Sequence, residues 1–324
     1  MTARTITREL PKLTHEISSR NDEKYDDGEF IEMFLALSEH SANTQQSYRR
    51  GLLRFRAFVN HMPLKDVTWK EVEAYKLALI RGVANPTRKT LAPASVSALI
   101  APIKALYKWG SDPNIGLFPR NPTTSIRLPK VEVTSRKHFL TRKEVGDLLS
   151  RLREQDLRNY LIGLSLVVLG LRVSELANMR WGDFHTDAVE RSAWLNIRRG
   201  KGGKSRDIKV PNTLRGLYER YKALAKQTAA VESDTPVFPI SIRQIERIIR
   251  NAGNLSSMNK RPTPHWLRHT NATLALLEGA TLQQVQETLG HTHINTTQRY
   301  LHTVEQLEKA APDFVEEMLA DFIR

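Results

Sequence analysis

The stretch His265-Trp-Leu-Arg268-His-Thr-Asn-Ala-Thr273, followed by Leu289-Gly-His291 and then by Asn295-Thr-Thr-Gln-Arg-Tyr300, decides how this chain reads. His265 and Arg268 stand three apart, so on a helix they share one face. Tyr300 follows His291 by nine residues. Two further segments lie upstream: Gly170-Leu-Arg172-Val-Ser-Glu175-Leu176 and Arg199-Gly-Lys201-Gly-Gly-Lys204. Taken singly, each has a plain structural reading. An isolated arginine is a surface charge, a lysine between glycines is a solvated turn, and a tyrosine in a late helix is core packing.

Taken together they are a chemical set. Two arginines, Arg172 and Arg268, can grip the non-bridging oxygens of one phosphate without losing their charge. Two histidines, His265 and His291, titrate near neutrality and can move protons or bond a charged oxygen. A lysine on a hairpin can reach into a groove and protonate a leaving alkoxide. A tyrosine supplies an oxygen nucleophile whose phosphate ester stores the energy of the broken bond. Such a set suits phosphodiester transesterification with no metal and no nucleotide cofactor.

These same segments resemble the C-terminal signature, the first arginine box and the hairpin lysine of the tyrosine recombinases, the phage integrase family that includes Xer- and Cre-like enzymes. The resemblance spans residues 27 to about 310. It implies a mainly α fold with a small β-hairpin or sheet in the second domain, and two domains closing on DNA as a C-shaped clamp. It further implies a site-specific recombinase that cleaves and rejoins duplex DNA through a 3′-phosphotyrosyl intermediate. By position, Arg172 and Arg268 would hold the scissile phosphate, Tyr300 would attack it, and Lys201 would protonate the departing 5′-oxygen. Lys204 is the alternative to Lys201. His265 and His291 would assist proton transfer and phosphate binding, and Glu175, on the helix face of Arg172, would orient the site. The implied partners are double-stranded DNA with inverted-repeat arms and three further copies of the chain. Asn271 departs from the family pattern, which usually has an apolar or aromatic residue there.

The rest of the sequence agrees in outline. The chain has 324 residues, enough for about two domains, and 49 Lys+Arg against 35 Asp+Glu for a net charge of +14. Residues 304–324 carry −4, which leaves +18 on the remainder and points to a polyanionic partner. The absence of cysteine excludes disulfides, thiol catalysis and cysteine-based zinc sites. The longest mostly apolar run, Leu161–Leu171, has 11 residues against the roughly 20 of a membrane span. With no secretion signal visible in the first residues, the expected location is the cytoplasm, in association with the nucleoid.

Residues 1–26 read as a flexible arm, and residues 27–119 as a four-helix, SAM-like core-binding domain. Ser41 is a candidate N-cap, and Thr68 and Glu71 have capping-box spacing. Leu37 and Leu77 are assigned to apolar stripes. Pro102 should kink or end the fourth helix. Arg49, Arg50, Lys104 and Lys108 are its candidate DNA contacts. Residues 120–137, with Pro122 and Pro129, read as an exposed basic linker contributing Arg127 and Lys130. The catalytic domain follows over 138–311, opened by a capping box at Thr141 and Glu144. It contains a hairpin of strands 193–198 and 206–210 around the glycine-rich turn.

Residues 312–324 form an amphipathic segment with Phe314, Val315, Met318, Leu319, Phe322 and Ile323 on one stripe. This segment either folds back on its own domain or docks on a neighbouring protomer. Two other functions compete with recombination. A type IB topoisomerase uses a similar residue set but relaxes supercoils alone. A DNA-binding regulator would lack the complete set of catalytic types.

Overall fold

The computed structural model describes residues 26–324 apart from 86, 88, 132–137, 188, 190, 199–204, 228–229, 309–310 and 324. It divides into two compact units between residues 132 and 133.

Among its described residues the first unit has four α-helices: α1 (Asp27–Leu37), α2 (Ala42–Phe58), α3 (Trp69–Ile80) and α4 (Pro93–Gly110). Side-chain oxygens at their starts satisfy amide groups that a helix leaves unpaired. Asp26 and Glu29 close a capping box on α1, Thr68 and Glu71 close one on α3, and Ser41 accepts from the Thr44 amide at α2. The core is built from Ile31 and Phe34 of α1, Leu52 and Phe55 of α2, Val72, Tyr75 and Leu79 of α3, and Val96, Ile100, Ile103 and Leu106 of α4.

Three expectations are corrected. Leu37 and Leu77 are exposed, because Leu77 sits half a turn away from the buried Tyr75–Leu79 row. Helix α4 does not end at Pro102 but runs on for two further turns. The proline ring is buried against Gly51 of α2, where an added Cβ would come within 2.8 Å of the Pro102 Cγ. The missing side chain lets the ring pack between the helices, which offsets the lost backbone hydrogen bond. Finally, the start of the expected linker belongs to this core. Thr123 and Ile126 are buried, and Lys104 and Lys76 donate to the carbonyls of Ile126 and Arg127 at 3.0 Å each.

The second unit opens with α5 (Arg142–Gln155) behind the capping box of Thr141 and Glu144, then the buried α6 (Leu157–Val168) and the short α7 (Val173–Ala177). A three-stranded antiparallel sheet follows, in the order β1 (Phe184–Thr186), β2 (Ala193–Ile197), β3 (Arg206–Val210). The β2–β3 pair is the expected hairpin, in a register that sets Ala193 opposite Val210 and Ile197 opposite Arg206. β1 was not foreseen. Its three residues are too few for an alternation to show. Seven helices complete the unit: α8 (Asn212–Lys226), α9 (Ile242–Leu255), α10 (Pro264–Leu277), α11 (Leu282–Leu289), α12 (Ile294–Glu308), α13 (Ala311–Met318) and α14 (Ala320–Ile323). Among the described residues, no helix is long and apolar enough to cross a membrane.

Alternation along β3 matters for function. Ile208 and Val210 face the core, so Arg206, two residues earlier, starts the same face. A cation there must find partners inside the unit.

Candidate active site

Three consecutive carbonyls organise the site. Helix α11 ends at Leu289, and Gly290 turns the chain away with φ of 63°, a left-handed conformation that favours glycine. The last carbonyls of a helix have no partner within it and carry the negative end of its dipole. Here each meets a different arginine. Arg206 donates from Nε to the Thr288 carbonyl at 2.9 Å, Arg268 from Nη2 to Leu289, and Arg172 from Nη2 to Gly290 at 3.4 Å.

The same arginines converge on one carboxylate. Glu175 accepts from Arg172 Nη1 at 2.7 Å and from the Arg172 amide at 2.8 Å. Arg206 forks onto both of its oxygens at 2.9 Å each, and Arg268 Nη1 stands 3.9 Å away. Burial pushes this carboxyl up, but the hydrogen bonds and charge of Arg206, joined by the bonds from Arg172, outweigh it and bring it to about 2. Burial pushes the Arg268 guanidinium down to about 9, with Arg172 acting in the same direction, and it stays charged at neutral pH. The two arginines differ in access: 4% of the Arg268 side chain is exposed, against 26% for Arg172.

Arg268 also donates from Nη1 to the Gly170 carbonyl at 2.6 Å. One turn further along α10, Asn271 Nδ2 donates to the Val167 and Val168 carbonyls at 2.8 and 2.9 Å. Asn271 thereby caps the C-terminal end of α6, which explains the polar residue at that position. The turn it caps leads directly into Arg172.

A histidine–tyrosine cluster adjoins the arginines. His269 Nε2 lies 2.8 Å from His265 Nε2, and His269 Nδ1 lies 2.5 Å from Tyr300 Oη. The His291 ring stacks on that of Tyr300 with centroids 6.3 Å apart, and its Nδ1 lies 2.9 Å from the Thr297 hydroxyl. Burial, then the positive neighbours led by His265 and Arg268, hold His269 down at about 4. Burial and then Arg268 and Arg172 do the same for His291, again to about 4, and His265 is lowered for the like reason. The imidazoles are therefore neutral at pH 7 and able to accept protons.

The structure thus brings together Arg172, Glu175, His265, Arg268, His291 and Tyr300. Lys201 and Lys204 lie outside the described residues. Arg206 and His269 were missed from sequence. The signal for Arg206 was a charge on the core face of a strand, and for His269 the i, i+4 spacing to His265. In the first unit, Arg49 is paired with Glu32, Arg50 bonds the Gln46 carbonyl at 3.3 Å, and Lys108, Arg127 and Lys130 are exposed. Lys104 spends its ammonium on Ile126, as described.

Residues 138–306 match the model of the phage integrase family. The chain is 32% identical to tyrosine recombinase XerC of Staphylococcus carnosus, over 86% of this chain and 92% of that one. It is 29% identical to a tyrosine recombinase of Thermosipho africanus, over 85% and 95%. The fold is shared with lambda integrase, solved as a dimer bound to a COC′ core site (TM-score 0.65, 20% identity, 84% of this chain and 93% of that one). It is also shared with the integrase tetramer bound to a Holliday junction (TM-score 0.66, 20% identity, 89% and 80%). With the family model covering half of the chain and a relative alignable almost end to end, this protein belongs to the phage integrase family and is a DNA-binding site-specific tyrosine recombinase.

Proposed function

We propose that the enzyme recombines DNA by two rounds of tyrosyl transfer. Arg172 and Arg268 grip the non-bridging oxygens of the scissile phosphate and stabilise the charge of its pentacoordinate transition state. Tyr300 Oη forms a bond to phosphorus as the bond to the 5′-oxygen breaks, giving a 3′-phosphotyrosyl strand and a 5′-hydroxyl. The phenolic proton passes to the histidine cluster, and Lys201 donates a proton to the 5′-oxygen. The reverse reaction with a partner strand joins DNA without ATP. His291 bonds the phosphate, and Glu175 holds the arginines in place. The observation that carries this reading is the meeting of two phosphate-binding arginines, neutral imidazoles and a tyrosine hydroxyl within one unit.

The test is trapping on a nicked suicide substrate. Wild-type protein is expected to form a covalent adduct in EDTA without ATP, and Tyr300→Phe to form none while still binding the site. Adducts from the phenylalanine variant would move the nucleophile elsewhere, and a strict Mg²⁺ requirement would overturn the arginine-based account.

The working unit in this reading is a homotetramer on paired sites with inverted-repeat arms. Val315, Met318 and Phe322 are exposed, which favours docking of residues 312–324 on a neighbouring protomer over self-packing. The lambda integrase neighbour forms a tetramer on a junction. Deleting 312–324 is expected to spare single-protomer binding and impair cooperative binding and recombination. Normal cooperativity in the truncated protein would exclude trans docking. Whether the outcome is integration, excision or dimer resolution is read by sequencing DNA trapped on the protein in cells.

A further inference from the structure

The account above passes the phenolic proton to the histidine cluster without naming the acceptor, and the His269 ring is the one that touches the hydroxyl. We propose that His269 is the first acceptor of the Tyr300 proton during strand cleavage, with His265 behind it as the second. The proposal rests on Tyr300 being the nucleophile.

The argument begins with donors and acceptors. The Tyr300 hydroxyl is 2.5 Å from His269 Nδ1, a distance that suits an O–H donating to an unprotonated ring nitrogen. A neutral imidazole with Nδ1 free carries its proton on Nε2. That Nε2 lies 2.8 Å from His265 Nε2, which then accepts, leaving the His265 proton on its own Nδ1. Every link has one donor and one acceptor, so the chain Tyr300–His269–His265 is self-consistent as neutral groups.

Position separates His269 from its neighbours. His265 stands at the start of α10, with His269 between it and Tyr300. His291 stacks flat beside the Tyr300 ring, and its Nδ1 is engaged by Thr297. His269 is buried, one residue from the phosphate-gripping Arg268, with its ring centroid 5.2 Å from that of Tyr300. The charged and titratable groups around it are His265 and Arg268 on its own helix, His138 ahead of α5, His291 after α11 and Tyr300 on α12. They keep the imidazole neutral in the free enzyme, the form in which it can act as a base. A bound phosphodiester adds the negative charge that favours the imidazolium once the proton arrives.

The step balances. Tyr300 Oη bonds to phosphorus, the electron pair of the P–O5′ bond leaves with the 5′-oxygen, and the phenolic proton moves to His269 Nδ1. The His269 Nε2 proton can then pass to His265 Nε2. The 5′-oxygen takes its proton from the acid on its own side.

The test measures single-turnover adduct formation on a nicked duplex in two forms, with a natural phosphodiester and with a 5′-bridging phosphorothiolate, whose thiolate leaves without an acid. The variants are His269→Asn and His269→Gln, each with tyrosine or a more acidic fluorotyrosine at position 300, and Tyr300→Phe as control. Removing a general base is expected to slow both substrates by about 100-fold or more while site binding is retained. The fluorinated phenol should recover about tenfold of that loss in the variants and change wild type little. Four results would overturn the proposal. Unchanged or faster cleavage makes the contact a resting latch. A defect that the fluorophenol does not relieve makes it structural, as would lost site binding in both variants. A defect erased by the phosphorothiolate places His269 on the leaving-group side. Adducts from Tyr300→Phe would instead refute the nucleophile itself, whatever the His269 variants do.

Discussion

Arginine–carboxylate pairs occur in both units, and they are physically different objects. In the first unit, Arg49 pairs with Glu32 across α1 and α2 with both side chains about half exposed (47% and 55%). In the second, Arg172, Arg206 and Arg268 surround one buried Glu175 and also satisfy the carbonyls that end α11. The first pair is screened by water and contributes little to stability. It can part when a phosphate arrives. The second cannot part cheaply, because each cation would leave a buried partner unmet. The lesson is that a surplus of +14 says little about any one arginine. Burial decides which cations steer DNA and which build the site.

The largest effect that would sharpen this contrast is on cleavage. Arg268→Ala is expected to lower the single-turnover rate on a suicide substrate by about 100- to 1,000-fold, the usual loss for one preorganised donor. A drop under tenfold would remove it from the phosphate site. Next comes stability. Glu175→Ala leaves three guanidiniums facing one another and should cost about 3–5 kcal/mol by denaturant unfolding of the second unit. Arg49→Ala should leave the unfolding midpoint of the first unit nearly unchanged. Similar values for the two would erase the distinction drawn here.

Acid offers a third comparison. His269 and His291 have folded values near 4, below the ordinary value of 6.5. The unfolded chain therefore binds protons that the folded unit refuses, and stability is lost as pH falls from about 6.5 toward 4. Glu175, depressed from 4.5 to about 2, adds stability present above 4.5 and lost below it. Acid should thus melt the second unit first, read by unfolding midpoints at successive pH. A more local effect is expected at Gly290, where alanine must take a φ of 63° and place Cβ 2.8 Å from Arg206 Cδ. A loss of about 1–3 kcal/mol is expected, with Arg206 displaced. A neutral substitution would show that this turn does not hold the arginines.

The sequence alone determined most of the long helices and the set of reactive side chains, while α8 was not foreseen. Capping residues at Ser41, Thr68 and Thr141, apolar spacing, and the glycine-rich turn between two β runs act over a few residues, so they are written locally. Arg172, His265, Arg268, His291 and Tyr300 stand in an order and spacing that named the family before any coordinates. Tertiary structure decided the rest, because the remaining facts depend on residues far apart in the chain. Pro102 is tolerated inside α4 because Gly51 gives it room. Ile126 reads as linker, yet packs into a core whose members reach back to Ile31. Arg206 looked like one more basic residue until the sheet register turned it inward onto Glu175. His269 became a partner of Tyr300 only when α10 and α12 packed together, since a hydrogen bond across 31 positions has no period that a sequence can display.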